Sequence, residues 1–333
     1  MEKGKVFYTK RIDPEGVQDI FARINPKWSG KPAIKVHFGE EGNQNFLSPV
    51  LIKELVTKLN ATMVETNVLY ASKRRETDTH IELARQHGFD FAPIDILDAD
   101  GEKVYNVDLK HYGDIKIGKN FEEYDWYLIF SHFKGHGLSG FGGAIKNVSM
   151  GLASKLGKMA LHASSEPKVK PDRCIQCGLC LEECPQDAIS LQPLFIDNNL
   201  CIGCGRCIVT CPQNAFGIPW SSTEKPVFLE RLVEYAYVTV KKRPMVYINV
   251  LANISNSCDC DPHAPEPFME DIGVLGSTDI VALENASHDL VNKGYHSKDA
   301  FLKQNAVSGK QQIVYAHKLG LGKKEYDLIE IDQ

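Results

Sequence analysis

The chain has 333 residues, 43% hydrophobic and 24% charged, with a formal net charge of -5, the balance of a folded protein with no general affinity for nucleic acid. No apolar run follows the charged N-terminal MEKGKVFYTKRIDPEG, and none elsewhere approaches the roughly 20 residues of a membrane span, so a cytoplasmic setting without membrane contact is expected. In that compartment ten cysteines point away from disulfides and towards metal ligation or thiol chemistry.

Two α/β units open the chain. Ala33–Phe38 (AIKVHF) reads as a strand, Pro49–Leu59 as a helix entered through proline, and Ala61–Val68 as a strand again. Thr77 can cap a helix that runs to His87 and stops at Gly88, ahead of a strand at Phe91–Leu97. A hairpin is expected over Val104–Ile117 and a buried strand over Trp126–Phe130 (WYLIF). That strand empties into the glycine-rich SHFKGHGLSGFGGAIKN, which leads into one long helix from Ala144 to His162.

Within this loop Gly135, Gly137 and Gly140 form GxGxxG, but the acidic residue that a dinucleotide site needs about 20 positions later is missing. What the loop offers instead is backbone N–H groups at a helix start beside Lys134, His136 and Lys146, a set suited to a small anion and the candidate catalytic group. A tight glycine turn with solvated lysines is the plain alternative.

The chain then becomes polar and proline-bearing, and eight cysteines fall between Pro171 and Pro219. Cys174, Cys177, Cys180, Cys184 and Pro185 are spaced CxxCxxCxxxCP, and Cys201, Cys204, Cys207, Cys211 and Pro212 repeat the spacing. The segment resembles bacterial two-cluster ferredoxins, in which the fourth cysteine of each run serves the other cluster. That resemblance implies one [4Fe–4S] cluster on Cys174, Cys177, Cys180 and Cys211, and a second on Cys201, Cys204, Cys207 and Cys184. A pair of four-cysteine zinc sites is the alternative, although zinc patterns rarely place three cysteines at successive three-residue intervals.

Past this insert the α/β rhythm resumes, with helices near Val227–Val240, Ile280–Asn292 and Lys310–Leu319 and strands near Met245–Val250, Ile272–Leu275 and Tyr326–Ile331. The expected fold class is α/β: a discontinuous mixed-sheet domain with helices on the sheet faces, made of residues 1–168 and 221–333. A small α+β ferredoxin-like domain interrupts it at 169–220.

The last two cysteines stand apart, in NISNSCDCDPH. On extended backbone Cys258 and Cys260 face the same way, into one site. With eight cysteines already assigned, a third metal or cluster centre must borrow nitrogen or oxygen ligands, from His263, an aspartate, or a histidine such as His132 or His136. A redox-active thiol pair served by the ferredoxin, or a purely structural role, are the other two readings. His37, Glu40, Glu41, Glu65 and Asn67 follow predicted strands and are expected to ring one cleft with Lys134 and His136. His288 and His317 fall in predicted helices, as packing or surface residues.

Taken together, KVHFGEEGNQNF, ETNVLY, SHFKGHG with GGAIKN, NISNSCDC and DIGVLGSTDIVALENASHDLV resemble the uncharacterised iron–sulfur centre proteins of domain of unknown function 362. The resemblance covers both sides of the insert and implies one α/β domain carrying a ferredoxin, but no particular reaction. The expected function is an iron–sulfur oxidoreductase that relays electrons through its clusters to a small anionic substrate on the α/β domain. An electron donor, a flavoprotein or a soluble ferredoxin, is the implied partner. The rival is a non-catalytic electron-transfer subunit that docks a separate enzyme.

Overall fold

The computed structural model describes residues 3–162, 167–201, 203–219 and 223–332. An eight-stranded mixed sheet organises the chain, in the order Tyr326–Glu330, Gly4–Thr9, Gly273–Ser277, Met245–Leu251, Trp126–His132, Pro32–Lys35, Thr62–Glu65, Ile94–Ile96. Gly273–Ser277 runs antiparallel to both its neighbours, and every other neighbouring pair is parallel.

Trp126–His132 and Met245–Leu251 are buried at every position, as strands covered on both faces must be. Their alternate residues feed two separate cores. Leu128, Phe130, Ile248 and Val250 pack with Val17, Ile20, Ile52 and Val56 of the helices Pro14–Ile24 and Val50–Leu59. Tyr127, Ile129, Tyr247 and Leu251 pack on the other face with Val148, Leu232, Val233 and Leu283, from the helices Ala144–Ser149, Lys225–Lys242 and Ile280–Gly294. The result is three layers, helices on sheet on helices.

Most elements lie within a few residues of their sequence-based bounds, but three points differ. Gly4–Thr9 and Pro14–Ile24 lie outside the elements read from the sequence; Asp13, which accepts from Gly16 N, followed by Pro14, is the local signal for that helix start. Ala300–Asn305 is a further helix, capped by Asp299. The long helix expected from Ala144 to His162 is two helices, Ala144–Ser149 and Lys155–His162. Between them the chain pairs with the hairpin strand Asp114–Gly118, Leu152 O accepting from Gly118 N (3.0 Å) and Ser154 N donating to Lys116 O (3.2 Å). Gly151 marks the break: a Cβ there would lie 2.7 Å from Cε of Lys35, which passes through the gap.

The cysteine-rich stretch has its own small elements. Lys168–Val169 pairs with Phe216–Gly217, Ile189–Leu191 forms a hairpin with Leu194–Ile196, and two short helices cover Leu179–Glu182 and Arg206–Thr210. The boundary expected between 168 and 169 falls inside the strand Lys168–Val169, and the one between 220 and 221 lies outside the described residues. Among the described residues no helix is long and apolar enough to cross a membrane.

One buried carboxyl knits the second core. Glu284 accepts from Ala144 N at 2.6 Å and from Asn249 Nδ2 at 3.1 Å, joining the helix starts to a central strand, and burial pushes it up to about 7. A carboxyl raised in this sense adds stability that is complete below its ordinary value of 4.5 and is lost as the pH rises through about 7. Compared with Glu284→Gln, wild type should therefore lose urea stability between about pH 5 and about pH 8. A difference that stays flat over that window would contradict the assignment.

Candidate functional site

Four parallel strands end side by side at one edge of the sheet, and the residues just past them carry charge. Strand order reverses between Pro32–Lys35 and Trp126–His132, since the chain first moves outward to Ile94–Ile96 and then returns on the other side. A reversal of that kind parts the loops and opens a crevice at the strand ends. The crevice is a cavity of about 310 Å³, lined by Lys35, Glu65, Arg74, Lys134, Lys146 and Lys158 among others.

Glu65, the last residue of its strand, holds one wall. Arg74 donates to its Oε1 at 2.9 Å, Lys35 Nζ lies 3.5 Å from the same atom, and His80 Nε2 is 3.2 Å from Oε2. Burial alone would raise this carboxyl, but Arg74 and Lys35 hold it well below the ordinary carboxylate range. The cations respond unequally. Burial lowers Lys35 to about 8 against the pull of Glu65, whereas Lys158, with Asn67 O at 2.7 Å and Ala153 O at 2.9 Å but no carboxylate in contact, is lowered to about 7.

Asp259 holds the opposite wall. Its Oδ1 is 2.7 Å from His132 Nδ1 and its Oδ2 is 2.9 Å from Lys134 Nζ. While Asp259 turns towards the sheet, Cys258 and Cys260 on either side of it face the cavity. The segment is a turn rather than the extended run expected, with Asp261 N donating to Cys258 O at 2.8 Å, yet both sulfurs still reach one place. Lys146 Nζ donates to Cys258 Sγ at 3.8 Å. The hydrogen bond from Cys260 and the charges of Lys146 and Lys134 hold the Cys258 thiol well below its usual value, and Cys260 is pushed up in exchange.

The glycine loop takes its shape from this contact. Lys134–His136 and Gly140–Gly142 form a hairpin whose Gly135 N donates to Ser255 O at 2.8 Å. A Cβ at Gly135 would lie 2.6 Å from the Asn256 backbone, so glycine lets the hairpin close on the cysteine segment. The helix start expected to receive an anion is already filled, because Glu284 accepts from Ala144 N. Lys134, His136 and Lys146 do line the cavity, so the cationic side chains, not the helix start, are what an anion would meet. His136 Nδ1 accepts from Leu138 N (3.2 Å) and Ser139 N (3.1 Å), and burial keeps the ring neutral, far below its ordinary value.

His263 corrects one expectation: it is exposed, its backbone N–H donates to Asp261, and the histidine brought to the cysteine pair is His136. Ligand-capable atoms of His136, Cys258 and Cys260 lie within 4.8 Å of one another. Of the residues expected to ring the cleft, His37 and Glu65 line the cavity, and Glu40 accepts from Tyr70 and Ser72 near Arg74. Glu41 is exposed and paired with Lys73, and the Asn67 side chain faces Thr77 and His80. His288 is packed between Phe141 and Phe301, and His317 is exposed.

Four basic residues of the cavity escaped the sequence reading: Lys35, Arg74, Lys158 and His162. Lys35 left a trace, a lysine inside the apolar run AIKVHF; Arg74 in SKRRE and Lys158 in KLGKMALH look like ordinary surface charge.

The eight clustered cysteines divide by space, not by sequence. One small cavity is lined by Cys174, Cys177, Cys180 and Cys211, a second by Cys184, Cys201, Cys204 and Cys207. The two runs also share backbone geometry: positive φ recurs at Gln176 and Gly203, Gly178 and Gly205, and Asp187 and Asn214. Backbone N–H groups of Gln176, Ala188, Gly203 and Ala215 point at the sulfurs of Cys174, Cys184, Cys201 and Cys211, at 3.3 to 3.5 Å. No disulfide joins any of the ten cysteines.

This region and the cavity share a wall. Met159 and Leu69 pack into the apolar cluster that contains Cys180, Cys207 and Cys211, while Leu69 also lines the cavity. Arg74 points to Glu65; its neighbour Arg75 donates to the carbonyls of Ile208 (2.9 Å) and Cys211 (3.3 Å).

The profile of the family described as Domain of unknown function (DUF362) matches residues 33–289. No curated protein matches the chain. Among solved structures it is similar to the lactate racemase apoprotein from Thermoanaerobacterium thermosaccharolyticum, at 13% identity and a TM-score of 0.44 over 86% of this chain. It is also similar to a protein from Thermotoga maritima, at 10% identity and a TM-score of 0.39 over 92% of this chain. The chain spans 57% and 58% of the lengths of those two, less than two thirds of either.

Removing Asp259 leaves buried Lys134 without its carboxylate. Asp259→Ala should cost roughly 3–5 kcal/mol in urea unfolding, and Lys134→Ala a similar amount. The double variant should cost clearly less than the sum, because the two changes remove one interaction. Additive costs would mean that the pair acts independently.

Proposed function

The chain belongs to the DUF362 family, and from that premise we propose that it is an iron–sulfur oxidoreductase whose ferredoxin-like insert passes electrons to the cavity at the strand ends. Two [4Fe–4S] clusters would be held by Cys174, Cys177, Cys180 and Cys211 and by Cys184, Cys201, Cys204 and Cys207. The donor set fits them: each cavity gathers four thiols across the two motifs, and backbone N–H groups stand ready to stabilise thiolate sulfur. When bound, the clusters supply single electrons at low potential.

The observation that carries the reading is the helix Lys155–His162. Met159 touches the cysteine loop so closely that a Cβ on Gly205 would lie 2.3 Å from its Cγ. Lys158 and His162, one turn apart on the same helix, line the cavity. Gly205, between Cys204 and Cys207, therefore sits against the wall of the substrate site, while Cys177 of the other motif is exposed. Electrons would enter beside Cys177, from a flavoprotein or soluble ferredoxin, and leave past Met159.

Within the cavity the chain's own residues bind and orient a small anion. Lys35, Arg74 and Lys134 are buried cations, Lys146 adds a charge at the rim, and Lys158, lowered to about 7, can take up a proton when an anion arrives. Glu65, Glu40 beside Arg74 at 3.6 Å, Asp259 and the Cys258 thiolate offset most of that charge, and an anion of the substrate would complete the balance. His136, kept neutral by burial, can donate from Nε2 because its Nδ1 is already an acceptor. Such a cavity argues for an enzyme over a docking subunit, which has no use for buried cations around a void.

Anaerobically purified protein should contain about 8 iron and about 8 sulfide per chain and give an EPR signal on reduction. Cys211→Ser should abolish the cluster of Cys174, Cys177 and Cys180 and spare the other; Cys184→Ser should do the reverse. A colourless protein loaded with zinc, or losses that follow sequence order instead, would overturn the reading.

A further inference from the structure

We propose that Cys258 and Cys260 are a redox-active dithiol that reduces a small, carboxylate-bearing organic disulfide bound in the cavity, and is itself restored to the dithiol by the iron–sulfur insert. The inference rests on the iron–sulfur reading for its electrons but stands on separate residues. Its first support is geometry. Both cysteines line the cavity, their sulfurs lie within 4.8 Å of each other, and Lys146 reaches Cys258 Sγ at 3.8 Å. A thiolate beside an ammonium, with a thiol next to it, is the arrangement of an attacking and a resolving cysteine.

The second support is what the histidine excludes. A metal-bound imidazole donates from its other ring nitrogen to an acceptor. His136 does the opposite, because its Nδ1 receives two backbone N–H groups and its proton is thereby left on Nε2, where a metal would need a lone pair. His132 is engaged at both ring nitrogens, by Asp259 and by Ala252 O, each at 2.7 Å. His263 is exposed and does not belong to the group of ligand atoms within 4.8 Å of one another. The two cysteines are therefore short of the further ligands that a closed structural metal site requires.

The third support is electron count. The Cys258 thiolate attacks one sulfur of the substrate, breaking its S–S bond and releasing one thiolate. Cys260 then attacks the Cys258 sulfur, its proton passing to the leaving thiolate, so that one substrate disulfide becomes a thiolate and a thiol while a Cys258–Cys260 disulfide forms. Restoring the pair takes two electrons and one proton. Two clusters that each hold one electron match that demand. The cations Lys35, Arg74, Lys134 and Lys158 would hold the carboxylates of the substrate, which separates this pair from one acting on neutral disulfides.

Dithiodiglycolate, a small dianionic disulfide, is the probe. Added anaerobically to the wild-type protein with its clusters oxidised or absent, it should convert Cys258 and Cys260 to an internal disulfide, read by peptide mass as the loss of two hydrogens. Added to protein reduced beforehand and freed of reductant, it should reoxidise the clusters and yield two thiols for every two electrons. Cys258→Ser and Cys260→Ser should each reduce that reoxidation to background while iron content and chemical reduction of the clusters stay at the wild-type level. Lys146→Met should move the rise in oxidation rate to higher pH without changing the iron content. A wild-type pair that stays reduced, a pair protected by bound zinc, or serine variants that reoxidise as fast as wild type would each overturn the inference. Absence of iron with a normal disulfide on the Cys258–Cys260 peptide would instead overturn the iron–sulfur reading and leave the thiol pair standing.

Discussion

The Asp259 carboxylate is the tie on which the rest of the site depends. It lies between the two cysteines of CDC, and by pairing with His132 and Lys134 it fastens a late loop to the end of the central strand. The segment approaches because Gly135 has no side chain, and Glu40 N adds a backbone bond to Asp259 O at 2.9 Å. Were Asp259 turned the other way, both sulfurs would leave the cavity with it. Burying these charges costs several kcal/mol per ion, which good pairing only roughly offsets, so their presence says more about placement than about stability. A protein that needed only a stable loop there would do as well with apolar residues.

Placement also explains the second wall. Glu65 sits at the end of a strand and gathers Lys35, Arg74 and His80 around one carboxylate. The arginine after Arg74 reaches the insert, so two successive residues of the short helical turn Lys73–Arg75 brace the cavity and the cysteine region. The helix Lys155–His162 does the same with adjacent positions, Met159 towards the cysteines and Lys158 towards the cavity. A displacement of the cysteine-rich stretch would therefore be felt at the cavity through packed side chains, with no need of a long relay.

Much of the fold was legible in local pattern. WYLIF and MVYINV read as buried strands, and Gly88 stops a helix by taking positive φ. The single long helix after the glycine loop failed because its break is made by hydrogen bonds to a distant hairpin strand, which periodicity in KNVSMGLASKLGKM does not register. The site was legible in part. Cys258, Cys260, Lys134 and Lys146 were picked out by odd composition or by a glycine-rich loop, whereas Arg74 and Lys158 sit in runs that look solvated and are buried only because other elements cover them.

By itself, the sequence determined the α/β alternation, the repeated cysteine spacing and the isolation of the CDC pair, since each is a matter of residue type and spacing along the chain. Only the tertiary structure decided that Asp259 would face the sheet, that His136 rather than His263 would stand beside the cysteines, and that Glu284 would occupy the helix start reserved for an anion. The reason is physical: local periodicity governs which face of an element is apolar, but a buried charge goes wherever a partner from a distant strand can neutralise it. That partner is known only after the chain has folded.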